Sequence, residues 1–317
     1  MKRNNYHTQK RTEKGAVACA FFGNILFGLS IFFTKLALNE EPATPSVLLM
    51  WRFIIAFAVM NLLIPFSGGR FSLRQKRITP LLLLATVEPI LYFVFESYGL
   101  MLSGAAVGAA VLSLVPVLTT ILGAVLLGER PTMTPMYFSL LSVLGVILIS
   151  ADNGTSDKNS VWGIPLLMIA VLTAAIYYVL TKKLSTGFSA YERTYVMFAS
   201  GALFFTLLAI TDHLGSPEML FLPFKSPVFS LSVAYLSLFS SVTAYLAENY
   251  AAAHLPVSRT ASFTGIQSAT AVLAGALLLG ELPSLFTASA ATLILMGVYG
   301  TRVSSSKRSR KERIRTK

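Results

Sequence analysis

Ten apolar runs of about twenty residues, separated by short connectors rich in breakers and charge, dominate this sequence and leave it very few folds. A helix needs about 20 apolar residues to cross the hydrocarbon core of a bilayer. Only a helix or a closed barrel can do so with every backbone group satisfied. The runs cover residues 15–36, 46–66, 79–101, 105–127, 135–151, 162–184, 190–211, 228–250, 257–279 and 285–301. Glu40-Glu41-Pro42, Ser67-Gly68-Gly69, Glu129-Arg130-Pro131, Asp152-Asn153-Gly154 and Ser216-Pro217 lie between them. With 54% hydrophobic and 13% charged residues, the chain carries too much apolar surface for a water-soluble globule. The prediction is an all-α integral membrane protein with ten transmembrane helices.

A net charge of +12 raises the question of nucleic acid. The basic residues crowd the two ends and a few short loops instead of forming a basic face, so nucleic-acid binding is excluded. Lysine and arginine stay on the cytoplasmic side of spans. With the amino terminus inside, cytoplasmic segments hold 20 of them, against Lys158 and Lys225 in outer loops. Both termini are therefore expected in the cytoplasm, and the basic tail from Lys307 to Lys317 is expected to touch anionic headgroups. The expected membrane is the cytoplasmic membrane of a bacterium. The lone Cys19 excludes an internal disulfide. His7, His213 and His254 have no ligand spacing, and no phosphate-binding loop is present, so the expectation is no metal, no cofactor and no enzyme activity.

One stretch occurs twice. Residues Glu96 to Pro131 and Glu248 to Pro283 align at a shift of 152 with ten identities in 36 positions. Among them are Glu96/Glu248, Tyr98/Tyr250, Gly123/Gly275 and the closing Leu-Leu-Gly-Glu-x-Pro. Gly15 and Lys35 match Gly163 and Lys183, and Arg52 matches Arg193. Duplication gives five spans per copy, and an odd number inverts the second copy in the bilayer. The expected organisation is a basic leader at 1–14, a first repeat at 15–151, an extracytoplasmic linker at 152–161, a second repeat at 162–302 and a basic tail at 303–317. Inverted repeats about an axis in the membrane plane are a device of secondary transporters, which place their substrate near the midplane where the repeats meet. A rigid scaffold or sensor without flux is the alternative of another class.

The two Gly-Glu-x-Pro closures at Gly128 to Pro131 and Gly280 to Pro283, Pro116 within the fourth span, and Trp51-Arg52-Phe53 in the second resemble the drug/metabolite transporter superfamily, in its EamA type with ten spans. The resemblance covers roughly residues 15–302. It implies a bundle in which spans 1 to 4 and 6 to 9 enclose a central cavity, with spans 5 and 10 outside as homodimer contacts. It also implies a small organic solute, commonly moved outward. One departure is that Gln267-Ser268 stands where the first copy has Val115-Pro116, which leaves a bend in the ninth span open.

A charge at mid-bilayer is tolerated where it faces a cavity or a partner. Glu88, near the middle of the third span, either carries a proton, fixes a substrate cation, or is a protonated structural residue. Glu88, Tyr92 and Glu96 fall at helical spacing, and Ser241, Tyr245 and Glu248 or Asn249 form the matching stripe of the eighth span. The two stripes are expected to face each other. Glu96 and Glu248 are read as gates or as hydrated helix-end partners near opposite interfaces. Arg52 and Arg193 pair with a carboxylate or with helix-end carbonyls, and Arg52 alternatively holds an anionic substrate group. Asn24, Gln267, Tyr177 and Tyr178 line the cavity by hydrogen bonding and stacking or serve as packing. Glu129 and Glu281, with Pro131, Pro283 and Pro116, are structural, the carboxylates capping neighbouring helix amino termini or tying loops. The functional expectation is alternating access driven by a proton or solute gradient, with export of amino acids or related metabolites. A nucleotide-sugar or drug carrier is the runner-up.

Overall fold

The computed structural model describes residues 2–67, 71–73, 76–112, 114–129 and 160–278, with Tyr137, Leu140 and Leu144. Among these residues every regular element is a helix, and there is no strand. The helices are α1 (Lys2–Leu38), α2 (Pro45–Leu63), α3 (Thr79–Ala85), α4 (Tyr92–Leu112), α5 (Val115–Leu127), α6 (Ser160–Leu184), α7 (Ala190–Asp212), α8 (Pro227–Tyr235), α9 (Tyr245–His254), α10 (Val257–Ala261) and α11 (Thr264–Leu278). Two wide π-type segments, Thr86–Leu91 and Leu236–Ala244, join α3 to α4 and α8 to α9.

Among the described residues, six helical stretches are long and apolar enough to cross a membrane: Thr12–Leu38, Pro45–Phe66, Thr79–Gly99, Gly163–Leu184, Ala190–Asp212 and Pro227–His254. They match the first, second, third, sixth, seventh and eighth expected spans. Their outer faces carry Phe22, Leu62, Leu203 and Leu231, each more than 60% exposed, which suits lipid and not water. The fourth and ninth spans are described as α5 and as α10 with α11. The tenth span, most of the fifth, Pro131, Glu281, Pro283, most of the linker and the basic tail lie outside the described residues.

Local chemistry sets the helix ends. Thr44 accepts a hydrogen bond from the Val47 amide ahead of Pro45, and Ser226 does the same from Phe229 ahead of Pro227. At α7, Ser189 and Glu192 form a reciprocal capping box. Gly128 closes α5 with φ of 65°, the left-handed conformation that glycine adopts without a Cβ clash.

Two expected boundaries move. Residues 102–104, read as the connector between the third and fourth spans, are helical; α4 runs on to Leu112 and α5 starts at Val115. The Ala-rich run has no proline until Pro116, which lacks an amide donor and sits in the first turn of α5. The ninth span bends although it has no such proline, at Ser262 and Phe263 between α10 and α11.

The chain divides into two compact units, Met1–Phe93 with Leu180–His254, and Val94–Val179 with Leu255–Lys317. In the first, α2 lies along α7 and α1 along α8, the second π segment and α9. Its centre is aromatic: Phe53 stacks on Phe205 at 5.2 Å and meets Phe93 and Phe198 edge-on. Gly201 makes this packing possible, since a Cβ there would stand 3.0 Å from Phe53 and from Pro89. Gly23 lets α1 approach α9, with an added Cβ falling 3.4 Å from the Ala244 carbonyl. At one end, Glu192 is buried against the Lys76 ammonium at 2.8 Å and accepts the Ser72 amide, which pins the loop before α3 onto the start of α7.

In the second unit α5 packs on α10. The Glu129 carboxylate accepts the Val257 amide at 3.0 Å, at the amino end of α10. Gly99 on α4 faces Leu167 on α6, where a Cβ would stand 2.7 Å from the Leu167 Cγ.

Candidate functional site: a buried polar seam

The third span cannot run straight through Glu88. The residue before a proline is disfavoured in the helical region, and Glu88, followed by Pro89, adopts φ −148° and ψ 123°. The segment around it is wound wide, and its carboxyl is 6% exposed. The eighth span widens too, over Leu236–Ala244, where the Thr243 hydroxyl donates to the carbonyl five residues back at Leu238. Wide turns of this kind collect at functional sites.

Both irregular segments deliver polar groups into the first unit. The Tyr245 hydroxyl donates to Oε1 of Glu88 at 2.6 Å. Nε of Arg52 donates to Oγ of Ser241 at 2.9 Å and its Nη2 to Oγ of Ser240 at 3.1 Å. The same guanidinium lies 4.6 Å from the centre of the Phe93 ring, at cation–π distance. A buried acid and a buried base are thus both anchored on the six residues from Ser240 to Tyr245.

Two further polar pairs flank them. Arg193, fully buried, donates to the Phe188 carbonyl at 2.6 Å, to the Asn249 carbonyl at 2.6 Å and to Oδ1 of Asn249 at 3.0 Å. Asn249 in turn donates to Thr194 and to the Tyr245 carbonyl. These bonds fix α7 to α9. On the other side of α9, Nδ2 of Asn24 donates to the Ala20 carbonyl at 2.8 Å and to Oε2 of Glu248 at 3.3 Å.

The expected stripes are brought together at one point, Glu88 with Tyr245. They do not continue as drawn. The break at Glu88 interrupts the helical period, so Glu88, Tyr92 and Glu96 are not successive turns of one straight helix. Tyr92 is half-buried against Phe93, and Glu96 lies further along α4, half-buried, in the second unit. Glu248 corrects the reading of a hydrated interfacial group: it is 1% exposed and packed between α1 and α9. Tyr177 and Tyr178 are buried in the second unit with their rings edge-on at 5.5 Å, and Gln267 is half-buried on α11. Pro116 is buried at the start of α5.

Sequence reasoning did not single out Ser240 or Thr194. The available signal was a pair of serines inside an apolar run, a usual way to supply neutral acceptors to a buried arginine.

Comparison with known proteins points one way. The model of a family described as "EamA-like transporter family" matches residues 14–151 and again residues 161–303. The "Uncharacterized transporter YcxC" of Bacillus subtilis is 30% identical, over 95% of this chain and 97% of its own length. An "Uncharacterized transporter" of Archaeoglobus fulgidus is 28% identical over 84% of this chain and 92% of its own. A "Probable terminal-alkyne amino-acid exporter" of Streptantibioticus cattleyicolor is 24% identical over 71% of this chain and 74% of its own. A solved crystal structure superposes on 90% of this chain and 98% of its own with a TM-score of 0.75 at 19% identity, a likeness of fold alone.

Proposed function

The chain belongs to the EamA-like transporter family, and on that premise we propose that it exports amino acids or related small metabolites by alternating access. It is an integral membrane transporter. The finer reading rests on one observation, the buried Glu88 and Arg52 held from a single six-residue stretch of the eighth span. A zwitterion presents an ammonium and a carboxylate a few ångströms apart. Glu88 is the group to receive the ammonium, with Tyr245 fixing the carboxylate's direction. Arg52 is the group to receive the carboxylate, its guanidinium oriented by the Ser240 and Ser241 hydroxyls. The relative named as an amino-acid exporter supports the same class of solute.

Two inverted repeats of five spans, supported by the doubled family match, supply the mechanism. The repeats exchange an inward-open for an outward-open shape about the polar seam, driven by a proton or solute gradient. We place the protein in a bacterial cytoplasmic membrane with both termini inside, as a homodimer through the fifth and tenth spans.

Efflux from proteoliposomes loaded with radiolabelled amino acids, nucleosides or lipophilic cations, with and without a pH gradient, tests this reading. Saturable flux of an amino acid supports it. Flux confined to nucleosides or drugs overturns the substrate class, and no saturable flux of any solute overturns transport.

A further inference from the structure

With Glu88 and Glu192, Glu248 is one of three deeply buried carboxyls described in the first unit, and neither the zwitterion site nor the Lys76 ion pair uses it. Its neighbour across the α1–α9 seam is Asn24, which is fully buried. The orientation of the Asn24 amide is set by Nδ2, which donates to the Ala20 carbonyl at 2.8 Å and to Oε2 of Glu248 at 3.3 Å. The reversed amide would set oxygen against the Ala20 carbonyl oxygen, two acceptors face to face. Its other end is idle: Oδ1 is buried and accepts no hydrogen bond among the described residues. An amide oxygen left unmet in the interior costs free energy, and it stands on the same planar group that touches the Glu248 carboxylate.

We propose that Asn24 and Glu248 form a proton-binding site, at which Glu248 takes a proton from water on one side of the membrane and returns it to the other. The proposal deepens the gradient-driven reading above and rests on it. The amide suits both states of the acid. While Glu248 is ionised, Nδ2 donates to it. When Glu248 holds the proton, Oδ1 of the same amide is the acceptor still open beside it for the new O–H. No group other than the proton has to enter.

The site is also placed to be felt. Gly23, beside Asn24, is in close contact with α9, with a Cβ added there falling 3.5 Å from that of Ala247 and 3.9 Å from the Glu248 amide. A change of charge on Glu248 therefore acts on a close helix–helix contact. The titratable and charged groups around it come from every element packed on α9. Cys19 of α1 lies within electrostatic reach of Glu248. Arg193 of α7 binds the adjacent Asn249, and Lys182 of α6 donates to the Ala253 carbonyl. Glu88 and Arg52 reach the preceding turns through Tyr245 and Ser241. On α9 itself stand Tyr245, Tyr250 and His254.

Infrared difference spectroscopy of the purified full-length protein in lipid nanodiscs, titrated with acid and carrying carbon-labelled glutamate, reads the proton directly and needs no substrate. The expected result is a buried protonated-carboxyl band that is lost in Glu248→Gln and kept in Glu88→Gln. In Asn24→Leu its midpoint should rise by about one pH unit, because the anion loses more than the acid when the amide is removed. Asn24→Leu carries the test if Glu248→Gln does not fold. A band unchanged in Glu248→Gln, or unmoved in Asn24→Leu, overturns the site. A titrating band in a protein with no saturable flux overturns the transport reading and leaves the site standing, so the two failures are separable.

Discussion

The hydroxyl of Tyr245 meets the carboxyl of Glu88 at 2.6 Å, joining the two spans of the first unit whose helical winding is irregular. The residues are 157 positions apart, and both are almost fully enclosed. A buried hydrogen bond contributes about 0.5–1.5 kcal/mol with a neutral acceptor and about 1.5–3 kcal/mol with a charged one. Tyr245→Phe should therefore lower stability by about that amount, read as the shift in thermal unfolding of the detergent-solubilised protein. An unchanged unfolding temperature would show that the contact contributes nothing.

Glu88→Gln keeps the shape of the side chain and removes its charge. The KM for a zwitterionic solute should rise about tenfold or more, since a charged pairing is replaced by a neutral one. Transport at the wild-type KM would take Glu88 out of substrate binding.

The two buried arginines should separate by phenotype. Arg52→Lys loses the planar fork shared between Ser240 and Ser241, so folded yield should hold while the KM rises. Arg193→Leu strips donors from the Phe188 and Asn249 carbonyls and should cost about 1–3 kcal/mol for each acceptor left unmet, seen as loss of folded protein in size-exclusion chromatography. Equal losses of folded protein in the two variants would make Arg52 a structural residue as well.

Glu129→Ala removes the acceptor for the Val257 amide at the start of α10. A helix-capping loss of about 1 kcal/mol is expected. Glu129→Gln, which keeps an acceptor oxygen, should recover most of it in the same unfolding assay.

Gly201→Ala puts a methyl group 3.0 Å from both Phe53 and Pro89. The overpacking should cost about 1–3 kcal/mol. Gly215→Ala, where an added Cβ meets nothing within 4 Å, is the control that should leave stability unchanged.

Length and hydropathy alone made the spans legible, because lipid demands one closed helix per crossing. The ends of α6 and α7 fall within about two residues of where the apolar runs stop. The helix through residues 102–104 was not legible, since glycine and a change of polarity read as a loop in water but are tolerated inside a bundle. At the site, Pro89 announced a break at Glu88, yet the residues beyond it were still read at a straight-helix period. Nothing in Ser240-Ser241 announces a wide turn, because serine and threonine satisfy freed carbonyls from their own side chains. The Asn24–Glu248 pair spans 224 positions, and only packing brings such groups together.

The wide segment at Leu236–Ala244 acts as a phase shifter for α9. Each residue of an α-helix turns the chain by about 100°. Deleting a single serine from the segment would let the helix wind regularly and would swing Tyr245, Glu248 and Asn249 together away from Glu88, Asn24 and Arg193. Three unrelated-looking contacts are therefore set by one count, the number of residues between Leu236 and Ala244.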